Sequence, residues 1–282
     1  MGHFIFVYGT LRHNERNHGL LKDSTLISQQ AWTAGRLIDT GHDYPALLLD
    51  SDELVYGEIY EVDDGVLAKV DELEGYTGHP ENDHYQRTER VVFSDFGEFN
   101  ALLYYYPKEV ENAPEVPYGD WRLKTLLDKK ETPLYFAYGS CMDHERIDQA
   151  GMLDQFRTVG MGLLKNHEVR FTVRSHDGGR ADIVEAHEHE VEGIVYEISE
   201  QAMDYLYERE GVYIGKYRPA VIDVEIQDQI KPMLTFIVKE KLDEIAPPDH
   251  YLNEIIRGGT PHLTESYLRK IEQRVNSLRV GE

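Results

Sequence analysis

Two glutamates, Glu74 and Glu210, each directly precede a glycine at the end of a predicted amphipathic helix. The helices cover residues 64–74 and 200–210, and each glutamate falls on the apolar side of its helix. In the first helix that side is formed by Val66, Leu67, Val70 and Leu73. A carboxylate that loses water and lies at the negative end of a helix dipole should have a raised pKa. Such an acid can exchange a proton near neutral pH, so these residues predict general acid/base catalysis.

A second repeated feature is a strand that ends in an aromatic residue, a glycine and a hydroxyl residue. The two corners comprise Tyr8, Gly9, Thr10 and Leu11 in the first half of the chain and Tyr138, Gly139, Ser140 and Cys141 in the second. A corner of this kind can direct backbone N–H groups towards one point, where they would hold an anion or an oxyanion. The pairing of corner and glutamate therefore predicts two similar active sites.

Each feature also has a simpler explanation. A glutamate in the last turn of a helix can rotate out to water, and an aromatic-Gly-Ser corner is usually only a turn. The repetition of both features in the same order favours the catalytic interpretation.

The features recur because the chain contains two related copies of one domain. Gly9 and Gly139 are 130 residues apart, and Glu74 and Glu210 are 136 residues apart. Between and after them, "YGEIYEV" matches "EGIVYEI", and "HYQRTERVVF" matches "KYRPAVIDV". A stretch rich in Pro, Gly and acids, followed by a short predicted helix that ends near Lys130, marks the join. We therefore predict one domain over residues 1–130 and a second over residues 131–282.

Short strands dominate both copies. Runs of β-branched and aromatic residues are bounded by Gly, Asp and Pro, with one clear helix among them. The regular alternation of strands and helices that a Rossmann-type sheet requires is missing. We therefore predict an α+β protein with a barrel-like sheet in each copy. Near the end of the chain, "TESYLRKIEQRV" predicts a helix that packs on a core through Leu268, Ile271 and Val275.

Composition limits the classes of partner. The chain has 52 acidic and 29 basic residues, a formal net charge of -23, and the excess of acids is spread over both halves. This charge opposes binding to phosphate backbones and anionic lipids. No stretch approaches the roughly 20 apolar residues of a membrane helix, and the first apolar run is too short for a signal peptide. We therefore predict a cytoplasmic protein that binds neither nucleic acid nor membrane.

Two further patterns invite other chemistry. The tract "AHEHEVE" (residues 186–192) is rich in metal-binding residue types, but it lacks the His-Glu-x-x-His spacing, and we interpret it as a polar hairpin. Cys141, the single cysteine, suggests a thiol nucleophile, but no histidine partner is identifiable. We therefore predict no metal site and no nucleophilic cysteine.

The motifs together resemble the gamma-glutamylcyclotransferase-like superfamily. "VYGTLRHNERNH" with "ELEGY" is similar to its AIG2-like branch, which includes gamma-glutamylamine cyclotransferases. "FAYGSCM" with "EREGVYIGKYRP" and "PPDHYLNEIIRGG" is similar to the gamma-glutamylcyclotransferase branch itself. The resemblance covers nearly the whole chain, and the fold that it implies is two tandem mixed α/β barrels.

The resemblance implies a cofactor-free enzyme of acyltransferase or lyase type that acts on a small gamma-glutamyl substrate. The α-amine of the substrate attacks its own γ-carbonyl, which closes 5-oxoproline and releases an amine or an amino acid. The resemblance assigns the proton transfer to Glu74 and Glu210 and the binding of substrate to the two corners.

Several alternatives remain open at this point. Cys141 stands where the family often has asparagine, and the loss of that side-chain amide predicts weaker substrate binding at the second site. The competing function is a non-catalytic small-molecule-binding or interaction protein in which one or both pockets are degenerate. The leaving group is undetermined, and the chain could be a monomer with an internal pseudo-dimer or a homodimer.

Overall fold

The computed structural model describes residues 2–108, 110, 112–129 and 131–280. The chain divides into two compact units, Met1–Thr125 (unit 1) and Leu126–Glu282 (unit 2). Lys130, near which we predict the join between the two copies, lies outside the described residues, so the predicted boundary stays a prediction.

Unit 1 is built around a closed barrel of five strands. Its strands are β1 (His3–Val7), β2 (Thr25–Ala34), β3 (Arg36–Asp39), β4 (Pro45–Leu48), β5 (Leu54–Val62), β6 (Gln86–Ser94) and β7 (Gly97–Tyr105). The barrel order is β1-β5-β2-β6-β7, and β7 closes onto β1 in parallel where Leu102 pairs with Ile5. The remaining neighbours in the barrel are antiparallel. Strands β3 and β4 form a separate two-stranded hairpin.

The apolar run of β1 is continuous because both of its faces are buried. Ile5 and Val7 belong to one hydrophobic cluster, whereas Phe6 and Tyr8 belong to the other. Successive side chains of a strand point to opposite faces, so one short strand contributes to two packed layers. The strand is thereby fixed at the point where the Tyr8 corner begins.

Helix α1 (Asp64–Glu74) follows β5 and has well-defined ends. Asp63 caps its start, where the side chain accepts a hydrogen bond of 2.8 Å from the N–H of Val66. Its end is Gly75, whose φ of 64° is the left-handed conformation that glycine adopts without strain. The predicted helix and its glycine cap are therefore confirmed. A second helix, α2 (Trp121–Leu127), spans the division between the units.

Unit 2 repeats the barrel with longer strands and more helices. Its strands are β8 (Leu134–Ala137), β9 (Phe156–Ser175), β10 (Gly178–Ile198), β11 (Tyr217–Ile226) and β12 (Gln229–Val238), and its helices are α3 (His144–Gln149), α4 (Glu200–Arg209), α5 (Asp249–Gly259) and α6 (Glu265–Val280). The barrel order is β10-β8-β12-β11-β9, with β12 parallel to β8. With β8 matched to β1 and β10 to β5, this is the order of unit 1, so the α+β fold with two tandem barrels is confirmed.

Equivalent tyrosines make equivalent hydrogen bonds in the two units. The Tyr8 hydroxyl donates to the carbonyl of Tyr104 at 2.7 Å, and the Tyr138 hydroxyl donates to the carbonyl of Phe236 at 2.6 Å. In both units the tyrosine therefore ties the end of the first strand to the last strand of the barrel.

One local prediction is wrong. The tract at residues 186–192 is not a hairpin, because it lies inside the single long strand β10. The strand pairing is irregular between Glu185 and Glu190, where Glu188 has a φ of 61°. The sequence of a β-bulge with turn-like residues resembles that of a hairpin turn. After the bulge, however, the chain continues in the same strand.

The predicted C-terminal helix is confirmed as α6, with Leu268, Ile271 and Val275 buried. No helix in the described residues is both long enough and apolar enough to cross a membrane. No group of three or more His, Cys, Asp or Glu side chains in the described ranges is arranged to hold a metal ion.

Candidate active sites

A cavity of about 290 Å³ opens in unit 1 where β1 ends. Its walls come from the corner that follows β1, from the last turn of α1 and from the loop before β6. All five residues predicted for the first site line it: Tyr8, Gly9, Thr10, Leu11 and Glu74. The corner and the glutamate, which are far apart in the sequence, therefore meet in one cavity.

Glu74 is the last residue of α1, and its side chain is half-buried. Among the described residues, its carboxylate has no hydrogen-bond donor and no cation within ion-pair distance. Burial raises the pKa of Glu74 from 4.5 to about 7, because the charged form loses its hydration without compensation. The carboxyl group can therefore accept and return a proton near neutral pH.

The apolar stripe of α1 differs from its prediction at one position. Leu67 and Val70 are buried, whereas the side chain of Leu73 is 41% exposed and lies on the cavity wall beside Glu74. The last turn of the helix projects past the core, so its apolar residue faces the cavity instead of the barrel.

The last turns of α1 are anchored to the barrel by a polar network. Asp71 receives hydrogen bonds of 2.7 Å from Arg87 on β6 and of 2.6 Å from the Tyr104 hydroxyl on β7. The Arg87 guanidinium also stacks on the ring of Tyr76 at 4.7 Å. These contacts fix the helix one turn before Glu74, and Tyr104 itself lines the cavity.

The corner has the geometry of a site for negative charge. A Cβ atom added to Gly9 would lie 2.8 Å from Pro45 Cγ, so the close approach of the two segments requires glycine. Thr10 is held by Asn17, whose backbone N–H and side-chain amide both donate to it at 2.9 Å. Within the described residues, the N–H groups of Gly9, Thr10 and Leu11 have no hydrogen-bond acceptor. These groups can donate to an oxyanion.

Sequence reasoning missed a buried ionic network directly after the corner. Arg12 is 1% exposed, and it donates to Asp120 at 2.6 Å and to Glu58 at 3.3 Å. The carboxylate of Glu58 also accepts from the N–H of His13 at 2.8 Å. An arginine at the end of "VYGTLR" and a glutamate inside the apolar strand "YGEIYEV" were the available indications. Arg12 follows the corner directly, so these ion pairs fix the position of the corner. Removing one partner would leave an uncompensated charge in the interior, which is energetically costly.

Sequence reasoning also missed Arg16 at the cavity wall. Its side chain is exposed, and it has no ion-pair partner among the described residues. Arg16 is the one lysine or arginine among the described residues that line this cavity. It is therefore available to a carboxylate that enters from solvent.

The corresponding cavity of unit 2 measures only about 20 Å³. It too brings together the residues predicted for its site, namely Tyr138, Gly139, Ser140, Cys141 and Glu210. Tyr251 from α5 lines this cavity and contributes to its small volume. The Tyr251 hydroxyl accepts a hydrogen bond of 3.1 Å from the N–H of Ala181. A Cβ on Gly139 would lie 3.4 Å from that hydroxyl oxygen. The corner is thus in contact with a helix that belongs to the C-terminal part of unit 2.

Glu210 has partners, in contrast to Glu74. It follows the last helical residue of α4, and its carboxylate accepts from the Cys141 thiol at 2.9 Å and lies 3.5 Å from Arg209 Nε. Arg209 also donates to the Ser140 hydroxyl at 3.0 Å. The polar side chains of the second site are therefore hydrogen-bonded or ion-paired to one another.

Cys141 is held as a thiol. Burial raises its pKa to about 12, and the nearby Glu210 carboxylate acts in the same direction. A thiol of this kind is a poor nucleophile near neutral pH. This environment supports our sequence interpretation that Cys141 is not a nucleophile.

Comparison with known proteins agrees with the duplicated architecture. The family model described as "Gamma-glutamyl cyclotransferase, AIG2-like" matches residues 5–123, and the model of the "AIG2-like family" matches residues 190–271. The chain is 40% identical over 287 residues to YkqA of Bacillus subtilis, a protein named for the gamma-glutamylcyclotransferases, with all of both chains covered. The crystal structure of YkqA superposes with a TM-score of 0.88 at 38% identity and covers 99% of each chain.

A second relative matches the first half of the chain. The gamma-L-glutamyl-butirosin B gamma-glutamyl cyclotransferase of Niallia circulans is 41% identical over 119 residues, which cover 42% of this chain and 74% of the relative. From these similarities and the two barrels, the chain belongs to the gamma-glutamylcyclotransferase family and contains two AIG2-like domains in tandem.

Proposed function

We propose that unit 1 is a cofactor-free gamma-glutamyl cyclotransferase in which Glu74 is the general acid/base. The observation that carries the proposal is the half-buried Glu74 carboxylate, which has no partner in the described residues and has a pKa of about 7. It lines the same cavity as the unengaged N–H groups of the corner. The family membership supports the type of reaction, and the relative from Niallia circulans is named for such a substrate, gamma-L-glutamyl-butirosin B.

The reaction needs one proton shuttle and one site for negative charge. The neutral α-amine of the substrate attacks the γ-carbonyl carbon, and its surplus proton passes to the Glu74 carboxylate. The carbonyl oxygen becomes negatively charged and is stabilised by the N–H groups of the corner. The bond between the γ-carbon and the leaving nitrogen then breaks, and Glu74 returns the proton to that nitrogen. The products are 5-oxoproline and a free amine.

The chain mainly has to orient a substrate that carries both reacting groups. An intramolecular attack already has much of its entropic cost removed, so neither an external nucleophile nor a Lewis acid is needed by this scheme. Arg16 is placed to bind the α-carboxylate of the gamma-glutamyl group at the cavity wall. That contact would fix one end of the gamma-glutamyl group in the cavity that Glu74 also lines.

The volume of the cavity and the partners of its glutamate favour a unit 2 without catalytic activity. Its cavity of about 20 Å³ has no room for a gamma-glutamyl group, and Arg209 and Cys141 engage the Glu210 carboxylate. The competing function, a non-catalytic small-molecule-binding or interaction protein with a degenerate pocket, is therefore proposed for unit 2 alone.

Release of 5-oxoproline from gamma-glutamyl amides tests the proposal. We expect turnover by the full chain and by Glu210→Gln, and at least about a hundredfold loss in Glu74→Gln because general acid/base catalysis contributes that much. The kcat/KM of the wild type should rise with pH through about 7, since Glu74 accepts the proton only when it is ionised. Full activity of Glu74→Gln, or loss of activity in Glu210→Gln alone, would contradict the assignment.

A further inference from the structure

Asn17 lies on the wall of the first cavity and has no part in the reaction proposed above. Its side-chain amide donates to the Thr10 hydroxyl at 2.9 Å, and its backbone N–H donates to the Thr10 carbonyl, also at 2.9 Å. Asn17 is half-buried and directly precedes the short 3-10 helix His18–Leu21. One residue of the loop after the corner therefore holds both the main chain and the side chain of Thr10.

Two peptide groups of the corner are held in one orientation by backbone hydrogen bonds. The carbonyl of Gly9 accepts from the N–H of Arg12 at 3.0 Å, and the carbonyl of Thr10 accepts from the N–H of Asn17 at 2.9 Å. In a planar trans peptide group the carbonyl and the N–H point in opposite directions. Because these two carbonyls are held, the N–H groups of Thr10 and Leu11 are held as well. Both belong to the N–H groups that stabilise the oxyanion in the proposed reaction.

The contact with the Asn17 side chain determines where the Thr10 hydroxyl proton can go. A threonine hydroxyl has one proton to donate and two lone pairs that accept. The Asn17 amide nitrogen is the donor in this contact, so the hydroxyl oxygen is the acceptor. The hydroxyl proton itself has no acceptor among the described residues. It is therefore available to a molecule in the cavity that Thr10 lines.

Ser140, which corresponds to Thr10 in unit 2, makes both kinds of hydrogen bond. Its hydroxyl accepts from Arg209 at 3.0 Å, as the Thr10 hydroxyl accepts from Asn17. Burial raises the pKa of Tyr251 to about 12, and a hydrogen bond from the Ser140 hydroxyl opposes this rise. The Tyr251 oxygen thus accepts the hydroxyl proton for which unit 1 has no acceptor in its described part. In unit 1, a substrate oxygen can take the corresponding place.

Resting on the proposed function, we propose that Asn17 is a positioning residue that directs the hydroxyl proton of Thr10 to the substrate oxygen that becomes negatively charged. The hydroxyl and the N–H of Thr10 belong to one residue and can donate to the same oxygen atom. A hydroxyl that already accepts a hydrogen bond is also the better donor, because hydrogen bonds in a chain polarise one another. The oxyanion then receives backbone and side-chain donors from the corner, and Asn17 orients both.

Removal of the Thr10 hydroxyl tests the donor itself. The measurement is steady-state release of 5-oxoproline from gamma-glutamyl-butylamide by the full chain. In Thr10→Val we expect kcat to fall about a hundredfold, as for the loss of one oxyanion donor, with KM within about twofold of the wild type. Thr10→Ser should restore part of the loss. An unchanged kcat in Thr10→Val, or an effect on KM alone, would overturn the proposal.

Asn17→Asp distinguishes the orienting role from a merely structural one. A carboxylate accepts the hydroxyl proton of Thr10, so this variant keeps a hydrogen bond but takes the proton away from the substrate. We expect Asn17→Asp to lower kcat about a hundredfold, and Asn17→Ala, which leaves the hydroxyl free to turn, to lower it only about tenfold. If Asn17 merely held the loop together, Asn17→Asp would be the milder change, and that result would overturn the proposal.

The charge of the new carboxylate and the stability of the variants have their own controls. In a Thr10→Val background, Asn17→Asp and Asn17→Ala should have equal kcat, because no hydroxyl proton remains to be directed. Asn14→Asp adds the same charge at an exposed position of the same loop and should keep kcat close to that of the wild type. Urea unfolding followed by tryptophan fluorescence should give similar free energies of unfolding for all variants.

The outcomes separate this proposal from the proposed function. A kcat that falls in step with stability, or a larger loss in Asn17→Asp than in Asn17→Ala when the Thr10 hydroxyl is absent, would overturn the role of Asn17. A large loss in Glu74→Gln would still support the proposed function in either case. Absence of release by the wild type would overturn the proposed function and the role of Asn17 together.

Discussion

Replacement of Glu74 by glutamine should stabilise unit 1 while it removes the proposed activity. Between pH 4.5 and about 7 the unfolded chain ionises Glu74, whereas the folded chain keeps it protonated. Because the unfolded state then binds fewer protons, the free energy of unfolding of the wild type falls as the pH rises through this window. Glutamine has no charge to desolvate, so the variant does not lose this free energy.

The size of the effect follows from the shift in pKa. A rise from 4.5 to about 7, at about 1.4 kcal/mol per unit, corresponds to about 3 kcal/mol at pH 8 and above. At pH 5 most of this difference is absent, and about 1 kcal/mol remains. The advantage of Glu74→Gln should therefore grow from pH 5 to pH 8 and then level off.

The two tryptophans allow the effect to be measured in unit 1 alone. Trp32 and Trp121 both belong to that unit, so urea unfolding followed by tryptophan fluorescence reports on it. Glu72→Gln is the matched control, because it removes an exposed carboxylate from the same helix, and we expect its free energy of unfolding to stay close to that of the wild type. Equal unfolding free energies of Glu74→Gln and the wild type at pH 8 would show that the Glu74 carboxylate is not desolvated and would refute the argument.

Substitutions at three further residues test the surroundings of Glu74. Arg16→Gln should raise KM for gamma-glutamyl amides about tenfold with little change in kcat, and Arg16→Lys should restore part of the affinity; an unchanged KM would remove Arg16 from the site. Tyr104→Phe breaks the hydrogen bond to Asp71, so steady-state assays should show kcat lowered several-fold at an unchanged fold, and an unaltered kcat would show that the anchor does not position the acid. Arg12→Met leaves Glu58 and Asp120 as buried carboxylates without this cation. It should therefore lower the free energy of unfolding by about 3–5 kcal/mol. A smaller loss, measured by urea unfolding with tryptophan fluorescence, would show that the ion pairs of Arg12 do not stabilise unit 1.

The elements of both sites could be predicted because local sequence determines them. A β-branched and aromatic run followed by glycine predicts a strand and a corner, and helical spacing that ends at Gly75 predicts α1 and its cap. The duplication then added a second, independent occurrence of each element. Since Glu74 and the Tyr8 corner recur together, their meeting in one cavity could be expected before the structure was known.

The contacts that distinguish the two sites could not be predicted, because they join distant parts of the chain. Tyr251 reaches the corner of unit 2 from a helix that follows the whole barrel. In the same way, Arg12 and Asp120 are 108 residues apart in sequence. Neither partner has a local pattern that identifies the other. Cavity volume depends on such contacts, so the smaller volume of the second cavity had no indication in the motifs.

The two sites share the same frame but differ in the residue beside the glutamate. Tyr85 and Tyr217 both donate to a backbone carbonyl opposite the corner, at 3.0 and 2.7 Å, so the frame of the site is the same in both units. The residue before the glutamate differs, because Leu73 in unit 1 corresponds to Arg209 in unit 2. A single position next to the acid therefore decides whether a guanidinium lies beside the carboxylate.

Leu73→Arg should transfer this property to unit 1. Leu73 is 41% exposed, so the arginine can be accommodated, and in unit 2 the equivalent guanidinium lies 3.5 Å from the glutamate. An opposite charge at this distance lowers the pKa of a carboxylate by about 1–3 units. The inflection of kcat/KM with pH should move from about 7 to about 6 or below, and kcat should fall because the carboxylate, now a weaker base, accepts the proton of the α-amine less readily. Leu73→Gln is the control of similar size and polarity. If both variants keep the inflection of the wild type, a neighbouring guanidinium does not account for the difference between the two sites.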